Sequence, residues 1–181
     1  MIYPPSFISS VLYSQINSTT IDATTTAEQS LINTSGALGS NIIPANTMQV
    51  GDVIGFTFAV LSTNPATQIN IVMRTYLNAL KLGESPAATA LNVNSPGLIV
   101  VTGSILVLAT GASGSIIPQG FAIGRVGPAD YFTMINAAAL TIDTTAAQTF
   151  NLTGQYPVSS TSSYTMKVLG PAYITLQRVA S

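Results

Sequence analysis

Cysteine, histidine and tryptophan are absent from the 181 residues, and charge is scarce. Without Cys there is no disulfide framework, no thiol nucleophile and no iron–sulfur cluster, and the redox compartment leaves no trace. Without His there is no imidazole base, which excludes a Ser-His-Asp triad and an ordinary zinc site. Charged residues make up 6% of the chain, where soluble domains carry about 25%. The basic side chains are Arg74, Lys81, Arg125, Lys167 and Arg178; the acidic ones are Asp22, Glu28, Asp52, Glu84, Asp130 and Asp143. A net charge of −1 with no basic arm or cluster argues against a nucleic-acid partner, which needs Lys and Arg to neutralise phosphates.

Long apolar runs are missing as well. The greasiest stretch runs from Leu98 to Ala109 and is interrupted by Thr102-Gly103-Ser104. A spanning helix needs about 20 apolar residues, so no membrane span is expected. The β-branched content and flanking Gly and Pro read as a buried strand. Met1–Ile16 lacks a basic segment and carries Pro4-Pro5, unlike a cleaved signal peptide. What the chain does have is hydroxyl: Ser and Thr supply 42 residues, so polarity is carried without ionisation. A chain of this length is expected to form a single domain, residues 1–181, that buries a core without metal or disulfide staples. Residues 1–10, with Tyr3-Pro4-Pro5 and Phe7, read as an extended arm or a frayed terminus.

The hydrophobic pattern has period two. Ile69, Ile71, Met73 and Leu77 fall opposite Asn70, Arg74 and Tyr76; Phe56, Phe58 and Val60 fall opposite Thr57 and Ala59. Tyr164, Met166 and Val168 alternate with Thr165 and Lys167, and Ile174, Leu176 and Arg178 with Tyr173, Thr175 and Gln177. Half-buried antiparallel strands alternate in this way because successive side chains point to opposite faces. Strands are expected at 11–17, 28–34, 38–43, 51–62, 67–78, 97–110, 114–125, 147–154 and 162–179, the last open to a break at Gly170-Pro171. Turn residues separate them at Pro44-Ala45-Asn46, Asn64-Pro65, Gly83-Glu84-Ser85-Pro86, Asn94-Ser95-Pro96-Gly97, Gly111-Ala112-Ser113-Gly114, Gly127-Pro128 and Gly154. Residues 129–140 read as a helix or a long loop. The whole reads as an all-β sandwich or barrel.

Two stretches echo each other. Thr20-Ile21-Asp22 precedes Thr25-Thr26-Ala27-Glu28-Gln29, and Thr141-Ile142-Asp143 precedes Thr144-Thr145-Ala146-Ala147-Gln148. They read either as a two-fold pseudo-repeat or as chance in a Thr/Ala-rich chain. Between them lies Ile43-Pro44-Ala45-Asn46-Thr47 followed by Val50-Gly51-Asp52-Val53-Ile54. Pro44 fixes φ and Asn46 tolerates turn conformations, which suits a corner; Asp52 is expected to cap turn amides with its carboxylate.

The stretch from Thr25 to Ser62, which contains the Ile43–Ile54 element, together with Ile142–Tyr156 resembles single jelly-roll virion proteins: penton, minor capsid and fibre-associated domains of phages and large icosahedral DNA viruses. The two elements cover about a third of the chain. The resemblance implies one jelly-roll β-sandwich of about eight antiparallel strands in two four-stranded sheets, assembling as a trimer or pentamer, and it transfers no catalytic residue. Such domains usually carry more Lys, Arg and Glu, so the low charge here favours a position packed among other shell subunits.

No residue is assigned a catalytic, cofactor-binding or metal-ligating role. The acids sit singly, whereas a glycosidase needs two carboxyl groups about 5–10 Å apart, and no EF-hand spacing occurs. Three N-x-[ST] matches begin at Asn17, Asn33 and Asn151, as expected by chance in such a composition. Tyr3, Tyr13, Tyr76, Tyr131, Tyr156, Tyr164 and Tyr173 could form a sugar-stacking platform, or line sheets and interfaces. The expectation is therefore a non-enzymatic virion structural protein, a capsid component located in the virion. It would assemble as a ring-like oligomer with itself and neighbouring capsid proteins, without cofactors, nucleic acid or a membrane span. The alternative is a receptor- or glycan-binding spike or fibre domain.

Overall fold

The computed structural model describes residues 7–15, 19–33, 36, 38–63, 69–86, 89–91, 97–126, 129–134, 136, 138–160 and 164–179. Among them there is no helix. The strands in chain order are β1 (Phe7–Gln15), β2 (Thr20–Asp22), β3 (Gln29–Ser30), β4 (Leu38–Gly39), β5 (Ile42–Ile43), β6 (Val53–Thr63) and β7 (Ile69–Leu77). Then follow β8 (Leu80–Glu84), β9 (Thr89–Leu91), β10 (Gly97–Ala109) and β11 (Gly114–Val126). The last are β12 (Ala129–Thr133), β13 (Leu140–Ile142), β14 (Gln148–Gln155) and β15 (Thr165–Val179).

These strands form two antiparallel sheets. The nine-stranded sheet runs β12-β11-β10-β6-β15-β1-β4, with β13 on β11 and β2 on β15. The six-stranded sheet runs β3-β14-β7-β8, with β5 on β14 and β9 on β7. The all-β sandwich expected from the alternation is what the chain forms. Its sheets are larger than four strands each, because the β10–β11 hairpin widens one sheet and two- to five-residue pieces pair along the margins of both.

One hydrophobic cluster fills the space between the sheets. Phe56 and Phe58 from β6 meet Phe150 from β14 at ring-centroid distances of 4.9 and 5.7 Å. Ile54, Val60, Ile99, Val101, Val168 and Ile174 line one side, and Ile71, Met73, Leu77 and Leu152 the other; all are buried. The alternation read from β6, β7 and β15 puts the expected residues inward. β10 obeys the same rule with a sorting of its own. Ile99, Val101, Ile105 and Val107 are buried while Leu98, Leu106 and Leu108 are exposed, so this strand is buried on one face rather than two.

Several expectations are corrected. Phe7–Ser10, read as an arm, form the first part of β1, with Phe7 opposite Val179 and Ser10 opposite Leu176; residues 1–6 lie outside the described residues. The described residues of the stretch 129–140 are not helical. Tyr131 and Phe132 have strand-forming side chains and sit in β12, paired with Ile123 and Ala122, and Leu140 opens β13. Gly83-Glu84 and Gly154 are strand residues, not turns. Gly83 lies where a Cβ would stand 2.5 Å from the Met134 carbonyl oxygen, and close backbone approach accounts for glycine there. β15 continues past Gly170-Pro171, with the irregularity confined to a register shift between Leu169 and Tyr173. β2, β8, β9 and β13 are too short to announce themselves by periodicity. β7 and β8 are joined by Asn78-Ala79, with Asn78 at φ 49°, a left-handed conformation that Asn tolerates. The expected turns at Asn64-Pro65, Asn94-Ser95-Pro96 and Gly127-Pro128 fall outside the described residues.

Candidate functional site

The two outer faces of the sandwich differ in kind. On the six-stranded sheet, Arg74 projects outward from β7 and gathers acceptors around it. Its Nη1 lies 3.0 Å from Glu28 Oε2 and donates to Gln155 Oε1 at 2.8 Å, and its Nη2 reaches Glu84 Oε1 at 3.3 Å. Lys81 bonds the other oxygen of Glu84, Thr153 donates to Glu28 Oε1, and Tyr76 donates to Glu28 Oε2 at 3.4 Å. The Lys81 ammonium, and then Arg74, hold the Glu84 carboxyl below its ordinary pKa. Burial first, and then the bond to Glu28, push the Tyr76 phenol up to about 12. The cations and carboxylates here satisfy one another, so the network is a closed patch of surface.

Across β10, β6, β15 and β1 the outer face of the nine-stranded sheet carries little charge, with exposed Asp22 beside it on β2, paired with Thr165. Its register rows across β10, β6, β15 and β1 begin with Leu98, Leu61 and Lys167, then Val100, Ala59 and Leu169. The central row is Thr102, Thr57, Tyr173 and Ser14; beyond it come Ser104, Gly55, Thr175 and Val11, and then Leu106, Val53, Gln177 and Ser9. Ser104 and Leu106 face Gln119 and Ile117 on β11. Thr57 and Thr102 join through their hydroxyls at 2.9 Å. Lys167 is the one ionic side chain in these rows. Five of the exposed large hydrophobic residues lie on this face: Val11, Leu98 (51% exposed), Leu106, Leu108 and Tyr173 (37% exposed). Sequence reading missed this half of β10. The available signal was that Leu98, Leu106 and Leu108 fall at even positions with Thr102 and Ser104, while Ile99, Val101, Ile105 and Val107 fall at odd ones.

The remaining charges lock corners. The carboxylate of Asp52 is 1% exposed, accepts from the Gln49 amide at 2.8 Å, and is gripped by Arg178 through Nε (2.7 Å) and Nη2. Arg178 Nη2 also donates to the Thr47 carbonyl at 2.6 Å, and Asp52 holds the guanidinium pKa above its usual value. Asp52 therefore caps the turn as expected and also ties the end of β15 to the loop before β6. In that loop Asn46 has φ 59° and Gly51 φ 88°.

The two echoing segments build the same corner. Asp22 Oδ1 accepts from the Thr24 amide at 2.9 Å and from its hydroxyl; Asp143 Oδ1 accepts from the Thr145 amide at 2.9 Å and from its hydroxyl. Those hydroxyls, and then the amides, hold both carboxyls below their ordinary pKa. Gln29 and Gln148 donate back to the carbonyls of Asp22 and Asp143, at 3.4 and 2.6 Å. Each corner carries the chain from the nine-stranded sheet (β2, β13) to the six-stranded sheet (β3, β14).

Of the tyrosines whose side chains are described, Tyr13, Tyr156 and Tyr164 are buried, Tyr76 is half-buried and Tyr173 is exposed, so these five form no exposed stacking platform; Tyr3 lies outside the described residues. The described residues contain no group of three or more metal-ligating side chains and no helix long and apolar enough to cross a membrane. Comparison of the chain with protein-family models, curated proteins and solved structures finds no match.

Proposed function

We propose that this chain is a non-enzymatic structural subunit of a protein shell, a capsid component of a virion. It would assemble as a ring-like oligomer, a vertex penton or minor capsid protein, with copies of itself and neighbouring shell proteins. The strand order supports a jelly roll. Within the two sheets, four neighbours read β10-β6-β15-β1 and four read β3-β14-β7-β8, so first and last strands are neighbours and the chain crosses repeatedly between layers. The observation that carries the proposal is the outer face of the nine-stranded sheet, with a single ionic side chain across four strands. Enclosing such a face requires no ion-pair desolvation, which is costly when charges are buried. Left bare, it favours association, because little net charge opposes contact.

Native mass measured at about 0.1 M and about 1 M salt tests this, since the Debye length falls from ~10 to ~3 Å over that range. The expected result is one ring mass at both concentrations; a monomer at both overturns the proposal. A second reading, a glycan-binding spike or fibre domain, draws on exposed Tyr173 beside the hydroxyls of Thr57 and Thr102. Monomeric protein that binds an oligosaccharide array and loses binding on Tyr173→Ala would favour it.

A further inference from the structure

We infer that the open edge of β1, from Phe7 to Val11, takes up an extended segment of a partner protein as an added strand of the nine-stranded sheet, with apolar, uncharged side chains turned toward the core. The inference goes beyond the assembly reading, because strand addition requires no particular shell or symmetry.

β1 has two halves that differ in what lies beside them. On one side the whole strand pairs with β15, from Phe7 opposite Val179 to Gln15 opposite Ala172. On the other side β4 pairs only with Tyr13 and Ser14, and the Ser40 amide ends that contact by donating to the Leu12 carbonyl at 3.2 Å. No described strand pairs with Phe7–Val11 on that side. Alternate residues of an antiparallel strand turn their N–H and C=O groups to opposite sides, so this stretch presents a row of main-chain donors and acceptors.

Burial follows the same division. Tyr13, Ile174 and Phe56 share a register row, and their inward side chains are buried right out to β1, where β4 lies alongside. The next inward row is Ser10, Leu176, Ile54 and Ile105. Here Ile105 and Ile54 are buried, Leu176 is half-buried and Ser10 is exposed. Cover is lost strand by strand toward β1 at the level that β4 does not reach.

These observations specify the occupant. A repeating main-chain row is matched by another extended chain, which adds affinity through its backbone and selectivity through alternate side chains. The uncovered margin suits an apolar side chain beside Ser10 and against Leu176. A charged one would be enclosed without a partner, because Arg178 is already held by Asp52 and the Thr47 carbonyl. Five residues at ~3.4 Å each give a site about 17 Å long, an ordinary strand length. Charge and proline, which guard exposed edges, are absent from Phe7-Ile8-Ser9-Ser10-Val11. β1 of a second copy fits less well. Paired antiparallel about Ser9, it brings its own flanking Ser40 level with residue 6 on the line of β1, in the path of the chain entering the strand. A free extended segment has no such flank.

The test uses the full chain and a probe peptide of seven alternating threonines and valines, N-methylated on its valines so that one edge cannot pair and the peptide does not stack on itself. The same peptide N-methylated at every residue is the control. Residue-resolved amide hydrogen exchange is expected to slow about ten-fold at the outward amides of Phe7–Val11 when the probe stands at about ten times its Kd, and not to change with the control. Ser10→Lys, with an unaltered far-UV circular dichroism spectrum, should weaken binding ten-fold or more. No slowing at Phe7–Val11, equal slowing with the control peptide, or undiminished binding by folded S10K overturns the inference. Slowing that appears without peptide and grows with protein concentration assigns the edge to a second copy and overturns it as well. Should S10K fail to fold, the two peptides decide between them.

Discussion

Asp52 and Arg178 show how one side chain acquires two duties. From sequence, Asp52 reads as a turn cap because it follows Gly51 and precedes a strand, and the Gln49 amide bond fulfils that role. The second duty depends on Arg178, 126 residues away, a separation that local pattern does not reveal. The pair is asymmetric, with the carboxylate enclosed and the guanidinium partly in water. Removing the cation strands a buried anion, whereas neutralising the anion leaves an amide that still bonds the Gln49 N–H. Arg178→Ala is therefore expected to cost ~3 kcal/mol and Asp52→Asn about 1–2 kcal/mol, measured by urea denaturation; the reverse order would mean that the carboxylate is better hydrated than its burial implies.

Elements built on strict alternation were legible in advance. β6, β7 and the first half of β15 point inward the residues their period assigns, because one face of each is predominantly apolar. What escaped was structure set by neighbours. β12 forms because Tyr131 and Phe132 can add to the exposed margin of β11, and β8 because a two-residue turn returns the chain along β7. Gly154 and Gly83 look like breakers in sequence but are strand residues chosen for lack of volume. Gly103 in β10 belongs with them, since a Cβ there would stand 2.3 Å from the Gln119 carbonyl oxygen and 2.5 Å from Phe56 Cζ. At Gly154 the obstacles are the flexible ends of Ile21 and Met166, at 2.6 and 2.9 Å. Backbone cannot step aside as a side-chain tip can. Gly103→Ala should cost ~3 kcal/mol and Gly154→Ala ~1 kcal/mol, read as shifts in denaturant midpoint. The echo between the Asp22 and Asp143 segments was visible as letters alone; the structure adds that both fold into corners with the same carboxylate-to-Thr bonds. The neutral face was only half legible, since composition announces scarcity of charge but only the register shows where the few charges are gathered.

For the molecule as a whole, the missing histidine fixes how stability responds to pH. Asp22, Asp143 and Glu84 titrate below their ordinary values of 3.8, 3.8 and 4.5 when folded. Their contribution is present above those values and is lost as pH falls below them. Burial raises the Tyr13 and Tyr76 phenols to about 12. Their contribution is present below the unfolded tyrosine value near 10 and is lost as pH rises toward 12. The chain has no histidine and no cysteine, the side chains whose ordinary values lie between these limits. Thermal melts followed by circular dichroism should show a flat plateau from about pH 5 to about pH 9, falling away on both sides. A step near pH 6.5 would contradict it.

The antiparallel pairing of β1 with β15 sets Phe7 beside Val179. The polypeptide thus enters and leaves the sandwich at one point of its perimeter. Anything fused ahead of Phe7 and behind Val179 would emerge from that single spot, like two leads from one socket, leaving the rest of the circumference clear. A modest peptide bridge there would turn the thread into a closed circle, which could be reopened at the exposed Ala112-Ser113 turn to give a permuted chain with the same two layers.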